Sequence, residues 1–259
     1  MSVSICLLFP DLLGTYGDSG NATILVQRLR WRGIAAELTV IHSGDVVPAS
    51  CDLYVVGGGE DQPQALAADE LGATSSSSPL ARAVDSGAVV FAVCAGLQIL
   101  GKEFAGPDGE SRSGVGLLDC STSPGRRRAV GELAVEPALG LGLSRTLSGY
   151  ENHAGVTTVG PGAEPLGVVV AGVGNSSDSG VDGARAGRVL GTYMHGPALA
   201  RNPDLADLLL GWVVGPLEPL DDTDAEELRR RRLSAAGGVP ASGVAGILPR
   251  TWRRILQLR

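Results

Sequence analysis

Apolar residues follow two rhythms along this chain, and the change of rhythm divides it. In the first half, short apolar or alternating runs, "SVSICLLF", "AAELTVI", "CDLYVVGGG" and "AVVFAV", are separated by segments of helical spacing. "NATILVQRLRWRG" predicts a helix closed by Gly33, and "SPLARAVDSG" predicts a second with Ser78 as N-cap and Pro79 in its first position. Such alternation predicts βαβ units and a mostly parallel sheet with helices on both faces. "AVVFAV" is apolar at every position, as a central parallel strand covered on both sides must be, and "AGLQILGKEF" after it reads as a helix.

Beyond that helix the pattern turns β-rich: "AVGELAVEP", "TLSGYENHAGVTTVG", "PLGVVVAGVGN" and "GRVLGTYMHG" predict strands and hairpins between glycine loops. "NPDLADLLLGWVVG" restores a helix, capped by Asn202 with Pro203 in the first turn, and "DTDAEELRRRRLSAA" adds one that is acidic at its start and basic at its end. These boundaries predict one domain over residues 1–235. Residues 236–259 are expected to form a flexible tail, a Gly/Pro/Ser linker followed by a short basic amphipathic segment that reads first as a frayed terminus and second as a helix for a partner or a membrane surface. "ATSSSSP" reads as a polar loop.

Composition narrows the function classes. The 259 residues suffice for one substantial α/β core, and 44% hydrophobic against 19% charged residues describes a soluble globular protein. A net charge of -7 disfavours nucleic-acid binding, which needs clustered Lys and Arg. The opening "MSVSICLLFPDLLG" has no basic leader and its apolar run breaks at Pro10 and Asp11, so neither export nor a membrane span is expected. The four cysteines, Cys6, Cys51, Cys94 and Cys120, form no CxxC pair, which fits a reducing cytoplasm and offers no zinc template.

One cysteine has the surroundings of a nucleophile. Cys94 ends the central strand, where ligands bind in open α/β sheets, with small residues on both sides: Ala92, Ala95 and Gly96. A sharp strand-to-helix turn needs small neighbours, the following helix amino end should favour the thiolate, and the Ala95 N–H is free for an oxyanion. Cys6, Cys51 and Cys120 lack such a turn and read as packing residues. A thiol needs a base, and the histidines are His42, His153 and His195. His42 in "HSGD" suits a polar loop, His153 in "GYENHAG" has acidic and amide neighbours, and His195 follows a strand end and favours itself by that position. "YVVGGGEDQPQ" offers a second oxyanion donor from its three glycines and lacks the GK[ST] of a nucleotide loop.

Glycine loop, "AVCAGLQILG" and late "YMHG" together resemble the class I glutamine amidotransferases, in their CobB/CobQ-like branch. "FPDLLGTYGDSGNATIL" and "GYENHAGVTT" resemble, more narrowly, the GatD-type glutaminase subunits of lipid II isoglutaminyl synthase, over roughly residues 4–235. The resemblance implies a flavodoxin-like fold and hydrolysis of L-glutamine by Cys94 with His195, the oxyanion held by backbone N–H groups at Gly58 and Ala95. Members carry a glutamate two residues past the histidine; here that position is Pro197, which implies a Cys94–His195 dyad. They bind the glutamine carboxylate through an arginine ahead of a "GE" pair, for which "GRRRAVGE" offers Arg126, Arg127 and Arg128, the last being the choice. Implied too are a MurT-like Mur-ligase partner holding ATP and Mg, no cofactor or metal in this chain, and a lipid-linked substrate at the inner membrane face, lipid II, whose D-glutamate becomes D-isoglutamine. Alternatives are a corrin-ring amidotransferase of the cobyrinic or cobyric acid synthase type, which usually carries its synthetase domain on the same chain, and a scaffold subunit that lost activity.

Overall fold

The structure is a computed structural model and describes residues 2–72 and 78–237. The predicted polar loop and the amphipathic tail segment lie largely or wholly outside the described residues. The first half runs β1 (Val3–Leu8), α1 (Gly20–Trp31), β2 (Ala36–Ile41), β3 (Leu53–Val56), α2 (Asp61–Glu70), α3 (Pro79–Asp85), β4 (Val89–Val93) and α4 (Ala95–Leu100). Then come β5 (Glu103–Ala105), β6 (Ser111–Ser113), β7 (Cys120–Pro137), β8 (Leu147–Val159), β9 (Gly167–Ala171), β10 (Val181–Asp182), β11 (Ala184–Ala186) and β12 (Val189–Thr192). Helices α5 (Ala198–Arg201), α6 (Pro203–Val214) and α7 (Thr223–Ala235) close the described chain.

The main sheet has the order β11-β12-β4-β3-β1-β2 and is parallel except for its β11 edge. β4 is buried along its whole length because α6 packs on one side of it and α4 on the other, as its unbroken apolar run requires. α1 lies on β1 and β2 beside α6, and its buried stripe of Ala22, Leu25, Val26 and Leu29 follows the helical period. The β-rich portion forms a second sheet, β10-β9-β7-β5-β6, with β8 paired to β7. The β7–β8 pairing runs from Cys120↔Val159 to Val135↔Leu147 and is interrupted by a register shift between Pro124 and Ala129.

Three local expectations are corrected. The helix after Cys94 stops at Leu100, where Gly101 turns extended, and Glu103–Ala105 joins the second sheet as β5. α2 was not anticipated: the glycine run drew "GGGEDQPQ" toward a loop, although Asp61 at the start and the buried Gln64, Ala65, Ala67 and Ala68 are a helical stripe. Asn202 does not cap α6; its amide reaches sideways, accepting from Ser148 N–H at 2.9 Å and donating to Ser148 C=O at 2.8 Å. Ser78 does cap α3, accepting from the Ala81 N–H at 3.1 Å.

One buried cation ties the last helices to the first. Arg28 on α1, 3% exposed, holds Asp207 of α6 at 2.7 Å and Asp222, just ahead of α7, at 2.6 Å, and Arg32 shares Asp207 at 2.7 Å. A guanidinium taken out of water requires that its donors be met, and these two carboxylates meet four of the five. Arg28→Ala is expected to destabilise the fold by about 3 kcal/mol, read from denaturant unfolding, since it strands Asp222 and leaves Asp207 to Arg32 alone; a change under about 0.5 kcal/mol would show the network to be dispensable.

Candidate active site

Adjacent strands β12, β4, β3 and β1 end on one edge of the main sheet, and each contributes from the segment beyond its carboxyl end. Cys94 follows β4, Gly57 and Gly58 follow β3, His195 lies just past β12, and Asp18 sits in the loop from β1 to α1. Cys94 occupies φ 51°, ψ -105°, a strained conformation for a residue with a Cβ. The strain is held from two sides: the Cys94 N–H donates to Thr192 C=O at 2.8 Å, and the Gly96 N–H to Gly57 C=O at 3.1 Å. A Cβ on Gly96 would lie 2.8 Å from the Val56 carbonyl oxygen, which is why the turn needs a small residue there.

The sequence implied a dyad with its carboxylate missing at Pro197, and the structure supplies a carboxylate from elsewhere. Asp18, fully buried, faces His195: Nδ1 of the ring lies 2.8 Å from Asp18 Oδ2. His195 is 1% exposed and its Nε2 makes no hydrogen bond, so the tautomer that satisfies Asp18 leaves Nε2 as a free acceptor. Gly58 is the shared wall: a Cβ there would be 2.6 Å from His195 Cε1, 3.1 Å from Asp18 Oδ2 and 3.3 Å from Cys94 Cβ. The same Oδ2 also accepts from the Gly58 N–H at 2.9 Å. That second bond corrects the oxyanion expectation as well, for the Gly58 amide is engaged by Asp18. Gly59, next in the loop, lines the cleft beside Cys94 and Ala95.

Burial pushes the Cys94 thiol up to about 12, with the Asp18 charge adding to it and the Ala95 N–H and Arg128 opposing. Desolvation thus opposes the helix amino end, which by itself favours the thiolate. The arrangement instead requires a base at the moment of attack, and His195 Nε2 is the unbonded nitrogen nearby.

A cleft of about 290 Å³ opens over Cys94, lined among others by Gly59, Gln98, Arg128, Asn152 and His153. Arg128 alone of the three arginines lines it, from the segment of β7 where the pairing register shifts. Gln98 anchors the floor, accepting from Gln64 at 2.8 Å and donating to the Tyr193 hydroxyl at 3.0 Å, which also meets Thr157 at 2.7 Å. His153 is a wall residue: stacked on Tyr193 with centroids 3.7 Å apart, its ring nitrogens face Gly155 C=O at 3.0 Å and Glu151 at 3.4 Å. His42 lies at the surface past edge strand β2, facing Asp11 at 3.5 Å. Cys6 and Cys120 are buried, and Cys51 is half-buried. A hydrogen bond from the Cys6 thiol brings Cys51 down to about 7, against burial, while burial raises Cys120 to about 12.

The profile of the CobB/CobQ-like glutamine amidotransferase domain matches residues 4–203. The chain is 33% identical over 228 residues to the lipid II isoglutaminyl synthase (glutamine-hydrolysing) subunit GatD of Staphylococcus aureus strain N315, covering 86% of this chain and 90% of that one. It is 31% identical over 207 residues to the GatD subunit of Streptococcus pneumoniae strain ATCC BAA-255 / R6, covering 79% and 77%. A crystal structure of a glutamine amidotransferase superposes with a TM-score of 0.54 at 23% identity, covering 81% of this chain and 98% of the other, a likeness of fold.

The thiol environments predict an order of alkylation. With iodoacetamide near pH 7.5, site-resolved mass spectrometry should find Cys51 modified first, while Cys94 reacts slowly without substrate and accelerates as pH climbs toward about 12, because only the thiolate attacks. Rapid labelling of Cys94 at neutral pH would contradict a protonated resting thiol.

Proposed function

The chain belongs to the CobB/CobQ-like glutamine amidotransferase family, as a glutamine-hydrolysing enzyme subunit of the GatD type, and from that premise we propose how its site works and what it serves. Its role is in lipid II amidation. The observation that carries the chemistry is the pairing of the Cys94 turn with a His195 whose Nδ1 is bound to Asp18 and whose Nε2 is unbonded.

Glutamine enters the cleft with its α-carboxylate on Arg128 and its side-chain amide over Cys94. As Sγ attacks the amide carbon, its proton passes to His195 Nε2; Asp18 holds the ring in that tautomer and stabilises the imidazolium that forms. The developing oxyanion is met by the Ala95 N–H, with the Gly59 N–H as the second donor in place of the engaged Gly58 amide. His195 then returns the proton to the departing nitrogen, ammonia leaves, and water activated by the same ring hydrolyses the glutamyl thioester to glutamate and free thiol. Proton transfer at the moment of attack reconciles a thiol raised by burial with reaction near neutrality. Ammonia is used by a MurT-like, ATP-dependent ligase subunit, which amidates the D-glutamate α-carboxyl of the lipid II stem peptide. No helix among the described residues is long and apolar enough to cross a membrane.

Two measurements test this reading. In the complex with the ligase subunit, Cys94→Ala is expected to abolish glutamine-dependent amidation while free ammonia still supports it; retained use of glutamine would sink the assignment. Asp18→Asn should lower kcat for glutamine hydrolysis by roughly 10²–10⁴-fold with little change in KM, as loss of the orienting carboxylate does in other nucleophile–histidine sites. A kcat within about threefold of wild type would return the site to a dyad.

A further inference from the structure

Asn152 stands on β8 in the cleft wall, and its side-chain amide is used in two directions. Its Oδ1 accepts from Arg128 Nε at 2.5 Å, and its Nδ2 donates to the hydroxyl of Tyr16. Chemistry fixes the two ends: a guanidinium only donates, so the amide oxygen must face it, and the NH₂ is left for the phenolic oxygen. With Nε engaged, the parallel Nη1 and Nη2 remain as the fork that a carboxylate fits.

The far end of this tether is itself fixed. Tyr16 has φ 62°, a conformation unusual for a residue with a side chain, and its ring stands edge-on to His195 with centroids 4.9 Å apart. The neighbouring Thr15 N–H donates to Gly58 C=O at 3.2 Å, and Asp18 follows two residues after Tyr16. Arg128, by contrast, is exposed on an irregular segment of β7, where a long side chain left alone would spread over many rotamers.

We propose that Asn152 is a positioning residue that sets substrate specificity: it holds Arg128 by Nε against the Tyr16 loop, presenting the free Nη pair to an amino-acid carboxylate. This rests on the reading of Arg128 as the carboxylate partner. The site then selects free glutamine over amides that lack a free α-carboxylate, because only the former uses the prearranged fork. The anchor also joins the carboxylate-binding end of the cleft to the loop that carries Asp18.

The test compares L-glutamine with 4-aminobutanamide, which keeps the amide and the amine and lacks the carboxylate, using ammonia release by the full chain in complex with its ligase subunit. Asn152→Ala is expected to raise KM for glutamine about tenfold with kcat within about threefold, the loss of one charge-assisted hydrogen bond. Its kcat/KM for 4-aminobutanamide should equal that of wild type. Tyr16→Phe should move glutamine KM in the same direction by less, and Asn152→Ala should add nothing on an Arg128→Ala background. Equal losses on both amides would make Asn152 merely structural and overturn the proposal. So would an unchanged glutamine KM in Asn152→Ala alongside a raised one in Arg128→Ala. An unchanged KM in Arg128→Ala would instead overturn the carboxylate assignment on which the proposal rests.

Discussion

A single carboxylate oxygen organises this site. Asp18 Oδ2 accepts from the His195 ring and from the Gly58 amide, so the loop after β1, the glycine turn after β3 and the segment after β12 converge on one atom. Cys94 is brought against the same point by its own strained turn, which is pinned to β12 through Thr192 and to β3 through Gly57. Because these strands are neighbours in the sheet, a shift in any of them would separate the histidine from its carboxylate or from the sulfur. Gly58 has to be glycine for the same reason: no Cβ fits among three groups that must approach this closely.

Burial sets the electrostatics of what is held there. Asp18, His195 and Cys94 are all removed from water, and the thiol feels both the loss of solvent and the charge of Asp18. Deeper in the same wall, burial lifts Asp182 to about 6 despite its bonds from Thr192 and Tyr193. The polar groups around it are nonetheless matched: Glu151 accepts the Val173 and Gly174 amides at 2.7 and 2.9 Å, and Gln64, Gln98, Tyr193, Thr157 and Thr122 form one chain. A satisfied network of this kind gives the cleft a rigid floor, and rigidity is what a nucleophile dependent on one nearby nitrogen requires.

The two sheets divide the labour. The parallel sheet supplies Cys94, His195 and Asp18 at its strand ends; the β7–β8 ribbon supplies side chains of the cleft wall, Arg128 near the register shift in one strand and Asn152 from the other. They are joined at the site itself, where Tyr150 of β8 and His195 exchange backbone hydrogen bonds of 3.1 and 2.7 Å. The cleft wall and His195 are thereby fixed to the same stretch of backbone.

Much of this could be read from the residues alone. The unbroken apolar run of β4, the small residues around Cys94 and the helical stripe of α1 are local patterns with local causes, and they carried the fold class and the strained turn at Cys94. The failures were also local in origin: a glycine run obscured α2, and Asn202 looked like a cap because a cap is the nearest use for such a side chain. What no local pattern could reveal is a partner 177 residues away. That Asp18 would serve His195, that this would occupy the Gly58 amide, and that Asn152 would link Arg128 to Tyr16 depend on strand order and on a shift of register. The sequence determined which residues could do chemistry; tertiary structure alone decided which of them meet, because hydrogen bonds act over about 3 Å and only the packed sheets bring the distant segments that close.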